Sequence, residues 1–245
     1  MDNDLIIGRN PVTEALKSGR TVEKLMVAKG SEKSLSKLIA MAKDAGVPVY
    51  YNDKSRMDKI AGGGAHQGVA AYVSSYGYSE VDDLIARAEE KGEVPFLVIL
   101  DGIEDPHNLG AIIRTAHQAG AHGVVIPKDR AAGLTGVVAR TSAGALNYLP
   151  VARVTNLART IQELKQEGIW FVCADMDGTV MYDLTLTGGI GLVIGGEGSG
   201  VSRLVREKCD MAARIPMFGQ IDSLNASVAA GVLAYEIVRQ RLRGG

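Results

Sequence analysis

The chain has 245 residues, 46% apolar and 22% charged, which is ordinary globular usage and enough length for one large domain or two modest ones. No apolar run reaches the roughly 18 residues needed to span a bilayer. The formal net charge of −1 leaves no overall basic footprint, so any nucleic-acid partner must be held by local patches.

The acidic start Met1-Asp2-Asn3-Asp4 has no basic flank or cleavage pattern for export, and a cytoplasmic location is expected. Cys173 and Cys209 are the only cysteines and read as reduced thiols. The four histidines lack ligand spacing, so no metal is expected.

Short apolar runs alternate with helical patterns along the chain, the signature of an α/β fold. Asn10-Pro11 reads as a cap and a first-turn proline for a helix through Leu16. Lys24 to Val27 predicts a strand, and Glu32 to Ala45 a helix stopped by Gly46. Val47 to Tyr51 and Gly68 to Val73 predict two more strands. Residues 1–75 make the first expected domain, and 76–93 a linker with a charged connecting helix, Asp82 to Lys91.

The second expected domain covers 94–245. Its strands fall at Phe96 to Leu100, Gly123 to Ile126, Leu149 to Val154, Ile169 to Ala174, Gly191 to Ile194 and Ala212 to Ile215, with helices between most of them. These are continuous hydrophobic runs, which predicts a mostly parallel sheet covered on both faces.

Three segments carry chemistry. The first follows the opening strand and contains Asn108-Leu109-Gly110 and Arg114, with Asn108 able to cap the helix that follows. Strand ends in α/β sheets are where ligands sit. In the second, a strand runs into Gly195-Gly196-Glu197-Gly198-Ser199-Gly200, so glycine-rich that a ligand or another backbone must approach closely. It lacks the Lys-Ser or Lys-Thr of a phosphate-binding loop. The third runs from Ile215-Pro216-Met217 to Ser223-Leu224-Asn225-Ala226-Ser227, where Ser223 is expected to cap a long C-terminal helix.

In this order, the three segments resemble the motifs of the SPOUT superfamily, specifically its TrmH-like ribose methyltransferases. The resemblance covers the whole second domain. Gly8 to Leu16 and His66-Gln67-Gly68-Val69 look like the small ribosomal-protein-like RNA-binding domain of that family's rRNA-methylating branch. The resemblance implies a deep trefoil knot in the catalytic domain. The implied activity is S-adenosylmethionine-dependent methylation of a ribose 2′-hydroxyl, most like a guanosine of 23S rRNA, with tRNA as the alternative substrate.

Gly195, Ile215 and Leu224 match family positions that contact the cofactor, with Gly196, Gly198 and Met217 beside them. Arg114 matches the catalytic arginine; Asn108 and Glu197 would orient it and the ribose, and Ser223 and Asn225 would complete a polar rim. A guanidinium is effectively always protonated, so stabilisation of the developing alkoxide suits Arg114 better than a role as general base.

Ala226, Ala229, Ala230, Gly231 and Ala234 on the C-terminal helix, like the resemblance, point to a homodimer with its sites at the interface. Two rivals remain. Asp175-Met176-Asp177-Gly178-Thr179 resembles the nucleophile motif of haloacid-dehalogenase-type phosphatases, although a strand followed by an Asp-Gly turn explains it more simply. The other is a non-catalytic rRNA-binding assembly factor.

Overall fold

The structure is a computed structural model describing residues 5–18, 20–74, 76–221 and 223–243. The N-terminal residues read for export signals, and Ser75 at the expected domain boundary, lie outside them. The chain divides into two compact units, one of residues 1–77 with Gly133–Gly136, the other of 78–132 and 137–245. No helix among the described residues is long and apolar enough to cross a membrane.

The first unit runs β1 (Leu5–Ile7), α1 (Arg9–Lys17), β2 (Val22–Ala28), α2 (Ser36–Asp44), β3 (Val49–Asn52), α3 (Lys54–Ile60) and β4 (Val69–Val73). Its sheet has the order β1-β4-β2-β3, with β4 antiparallel to both neighbours and β2 parallel to β3. Alternation along the strands splits the apolar side chains between two faces. Leu25, Val27, Ala71 and Val73 pack with Val12 of α1 and Leu38 and Ala42 of α2. Met26, Ala28 and Ala70 pack with Met57 of α3.

α1 starts earlier than the Asn10-Pro11 signal suggests. Gly8 holds the cap position at φ 93°, and Arg9 N donates to Gln67 Oε1 at 3.1 Å. Pro11 therefore sits in the first turn, where its missing N–H has no helical partner to lose. His66 is buried; its Nδ1 accepts from Gly68 N at 3.0 Å, which leaves Nε2–H to donate to Asp58 at 3.0 Å. That pair of bonds sets the turn leading into β4.

The second unit runs α4 (Val81–Lys91), β5 (Phe96–Asp101), α5 (Pro106–Gln118), β6 (Gly123–Pro127), α6 (Gly136–Thr141), β7 (Val151–Val154), α7 (Leu157–Lys165), β8 (Trp170–Val180), β9 (Ile190–Gly195), α8 (Arg203–Arg206), β10 (Met211–Arg214) and α9 (Ala226–Arg243). Its six strands are all parallel, in the order β10-β8-β9-β5-β6-β7. The core joins Leu97, Ile99, Val125, Phe171 and Val193 of the sheet to Leu157, Ile161 and Leu164 of α7. Each large side chain buried this fully contributes about 1.5–3 kcal/mol. The charged helix α4 packs within this unit, burying Leu84 and Ala88. Gly123 leaves Leu84 its space, because a Cβ there would collide with the leucine side chain.

β8 runs further than Ala174, to Val180, but its pairing with β10 jumps from Cys173 opposite Ala212 to Thr179 opposite Ala213. Residues 174–178 therefore bulge out of the ladder. Asp177 N donates to Asp175 Oδ1 at 2.9 Å, and Asp175 is ion-paired with Arg206. The Asp-Gly pair does not turn the chain as the simpler reading expected: it lies in a bulge inside a strand that continues to Val180, and Asp175 faces an arginine rather than an open nucleophile site. Cys173 and Cys209 are both free thiols.

Candidate functional site

Strand order locates the site. From β5 the chain steps outward to β6 and β7, then returns on the opposite side of β5 for β8, β9 and β10. The loops after β5 and β9 thus leave adjacent strands in different directions, and the crevice at such a switch point is where α/β sheets bind ligands. A cavity of about 350 Å³ lies there, lined by Gly102, Ile103, Glu104, Asp105 and Asn108 after β5 and by Glu197 and Ser199 after β9.

Asp105, not Asn108, caps α5. Its side chain accepts from His107 N and Asn108 N, and Pro106 occupies the first helical position. The cap and the N1 proline are a readable pair that the sequence reading passed over. Asn108 is therefore released from backbone duty: it is buried in the first turn with its amide turned to the cavity.

A parallel substitution occurs at α9. Ser223 is exposed and the helix begins at Ala226; Asn225 Oδ1 accepts from Ser227 N at 2.9 Å and Val228 N at 3.4 Å. Capping with Oδ1 commits the Asn225 amide nitrogen to the opposite direction. It donates to Glu197 Oε1 at 2.6 Å and Asn108 Oδ1 at 3.0 Å. Asn108 Nδ2 closes the triangle on Glu197 Oε1 at 3.1 Å. Three residues from the three segments, 89 and 117 positions apart along the chain, meet in one hydrogen-bonded unit.

The glycine loop is shaped by its own backbone. A Cβ at Gly195 would collide with Gly200 and Val201, and one at Gly196 with Gly102 O. Gly198 and Gly200 take φ of 79° and 62°, which favours glycine. Gly196 N donates to Asp101 O and Gly200 N to Gly196 O, each at 2.9 Å, while Ser202 N donates to Asp101 Oδ2 at 2.8 Å. The close approach of a ligand or another backbone expected at this loop is made at Gly195 and Gly196 by the chain's own backbone, which presents Glu197 at the loop tip. Asp101 is a site-shaping residue that its place at a strand end did not reveal.

The remaining candidates lie elsewhere. Arg114 is on the exposed face of α5, six residues past Asn108, and among the described residues it has no hydrogen-bond or ion-pair partner. Ile215 is half-buried, and Met217 and Leu224 are exposed in the segment between β10 and α9; none of the three lines the cavity. Of the small residues in α9, Ala229 and Gly231 are half-buried. Ala226, Ala230 and Ala234 are buried within their own chain, where α9 packs on α5 and β9.

Residues 95–235 match the SpoU rRNA methylase family, and residues 5–79 match the domain described as RNA 2′-O ribose methyltransferase substrate binding. The chain is 51% identical to the Bacillus subtilis protein YacO, assigned to the TrmH family of tRNA/rRNA methyltransferases, over 98% of this chain and 96% of that one. The SpoU methyltransferase AviRb from Streptomyces viridochromogenes, solved with AdoMet, superposes with a TM-score of 0.63 at 28% identity, covering 98% of this chain and 91% of that one. An AdoMet-bound rRNA methyltransferase from Sinorhizobium meliloti gives 0.58 at 25% identity, covering 96% and 86%.

Proposed function

The chain belongs to the SpoU rRNA methylase family, and from that premise we propose that it methylates a ribose 2′-hydroxyl of RNA with S-adenosylmethionine, its substrate being a guanosine of 23S rRNA. The observation carrying the reading is the Asn108–Glu197–Asn225 triangle at the sheet's switch point. An rRNA methyltransferase that matches nearly the whole chain supports ribosomal over transfer RNA. A ribosomal RNA substrate places the enzyme in the cytoplasm.

The residues present fit the cofactor. A polar rim sits beside a segment whose Met217, Phe218, Ile221 and Leu224 are exposed, which suits a ligand with a flat heterocycle and a charged tail. Gly195, Gly196, Gly198, Ile215, Met217 and Leu224 would hold it. When bound, it supplies a methyl group already activated by its sulfonium, so the protein's task is positioning.

Glu197 Oε1 is occupied by two amide donors, which leaves Oε2 to accept from the 2′-hydroxyl and orient it. Asn108 and Asn225 fix that carboxylate, each amide locked by its second bond. Arg114 stabilises the developing alkoxide and grips an adjacent phosphate, and Ser223 adds to the rim.

The active form in this reading is a homodimer with sites at the interface. Val228, Tyr235 and Leu242 stand exposed at seven-residue intervals on α9, an apolar stripe that a second copy would cover. Light scattering should then report twice the 25.9 kDa chain mass; a fully active monomer would contradict the dimer. For the activity itself, ribose methylation is mapped by mass spectrometry in RNA from cells with and without the protein. Loss of one guanosine 2′-O-methyl in 23S rRNA is expected. A loss confined to tRNA would reassign the substrate, and no loss would contradict the activity.

A further inference from the structure

We infer that the open end of the first unit's sheet, built from Lys24, Tyr50 and Tyr72, is a stacking platform for unpaired bases of the RNA substrate. This rests on the methyltransferase reading and gives the first unit a defined contact surface.

Register puts the three on one face. Lys24 and Met26 alternate along β2 and point the same way. Met26 lies opposite Tyr50 in β3, and Lys24 opposite Tyr72 in β4. Tyr72 packs at the margin of the Met26–Ala28–Met57–Ala70 cluster, which confirms the face. Among the described residues, helix α3 covers that cluster but does not reach the Lys24 end, and Lys24 and Tyr50 are exposed, Tyr50 by 44%. A tyrosine is large and apolar on its ring faces, so an exposed one on an open sheet face offers a stacking surface.

Lys24 Nζ sits over the Tyr72 ring, 4.5 Å from its centre. A cation held on an aromatic surface offers a phosphate contact beside a ring, the combination single-stranded nucleic-acid sites use. Charge agrees. Residues 1–77 carry eleven Lys and Arg against eight Asp and Glu, while the remainder carries sixteen against twenty. On the same face, α3 adds exposed Lys54, Arg56 and Lys59, none of them ion-paired among the described residues. The basic excess that the whole-chain total hides is therefore gathered in the unit that bears the platform. Ring stacking is sequence-tolerant, so the platform grips an unpaired segment while selection of the nucleotide stays at the catalytic cavity.

The test is fluorescence anisotropy of the full chain with a labelled single-stranded RNA of about 12 nucleotides and with the same strand fully paired. Tyr50→Ala should weaken single-strand binding roughly tenfold and duplex binding much less, Tyr50→Phe should bind like the wild type, and Lys24→Gln should flatten the salt dependence by about one phosphate contact. Circular dichroism checks that the variants are folded, and Tyr50→Phe serves as the conservative control. Unchanged affinity of folded Tyr50→Ala, as for a surface that binds a protein instead, overturns the platform. So does equal loss on both RNAs, or an equal loss in Tyr50→Phe. If wild type binds RNA and only these comparisons fail, or if wild type binds neither RNA, the platform falls, and the mapping of ribose methylation decides the methyltransferase reading separately.

Discussion

Asn108 and Arg114 share helix α5, six residues apart, and are held in opposite ways. Asn108 is buried, with each end of its amide bonded to a residue more than 80 positions away. Arg114 is exposed and unpaired among the described residues. Six residues turn a helix by about 240°, so the two project from different faces of the same rod. One face of α5 carries the hydrogen-bonded triangle that folding completes, and the other carries an exposed cation that, in the proposed function, substrate would engage. In the proposed reaction the pre-formed triangle would need little organising, whereas Arg114 would act only once RNA is in place.

The sharpest way to break that contrast is at the loose end. Arg114→Ala should lower turnover about 10²–10³-fold with S-adenosylmethionine affinity unchanged by calorimetry, and Arg114→Lys should not restore it, since a point charge lacks the guanidinium fork. Near-normal turnover in Arg114→Ala would remove it from the chemistry.

At the fixed end, Asn225→Asp keeps the oxygen that caps α9 and loses the nitrogen that donates to Glu197 and Asn108. It also sets a second carboxylate against Glu197. Activity should fall roughly tenfold to a hundredfold while the melting temperature moves little, because the cap survives. A fall in stability with activity intact would show the triangle to be structural only.

The glycine loop sharpens the comparison in stability rather than rate. Gly195→Ala forces a Cβ onto the Gly200 backbone and should cost about 1–3 kcal/mol by chemical denaturation. Gly188→Ala, with open space around its Cβ and no positive φ, is the control and should be near neutral. Equal effects would mean the loop yields freely.

The smallest effect is a pH dependence far from the site. Burial holds His122 below its ordinary value of 6.5, against the opposing pull of its hydrogen bond to Glu93. Its Nδ1 accepts from Phe96 N, so the folded protein needs the neutral ring. The unfolded chain takes up the proton first as pH falls, so this stabilisation is complete above about pH 6.5 and is lost as pH drops below it. Between about pH 6.5 and 5 the melting temperature of the wild type should fall more steeply than that of His122→Gln; parallel curves would clear His122 of the effect.

The strand centres of the second unit were legible because parallel strands buried on both faces are unbroken apolar runs, as at Phe96 to Leu100. Two elements of the first unit were not. β1 spans three residues, and α3, Lys-Ser-Arg-Met-Asp-Lys-Ile, buries only Met57, too little to print a helical period. The structure brings Asn108, Glu197 and Asn225, each a candidate from its motif, into one hydrogen-bonded unit, but which of them also caps a helix was not legible. Sequence does not distinguish an asparagine that caps from one that is freed by a cap three residues earlier, and both cases occur here, at Asn225 and Asn108. The small residues of α9 are ambiguous in the same way: the alanines of a helix state how closely something packs, and Ala226, Ala230 and Ala234 turn out to pack within their own chain.

The most direct test of the central proposal uses tritiated S-adenosylmethionine, 23S rRNA, and the wild type beside Glu197→Gln. After alkaline hydrolysis, a methylated 2′-hydroxyl protects its own phosphodiester bond from cleavage. Tritium from the wild-type reaction should therefore appear in alkali-resistant dinucleotides and be greatly reduced with Glu197→Gln. Tritium released entirely as mononucleotides would mean base methylation, and equal labelling by the variant would mean that the Asn108–Glu197–Asn225 triangle is not where the ribose is held.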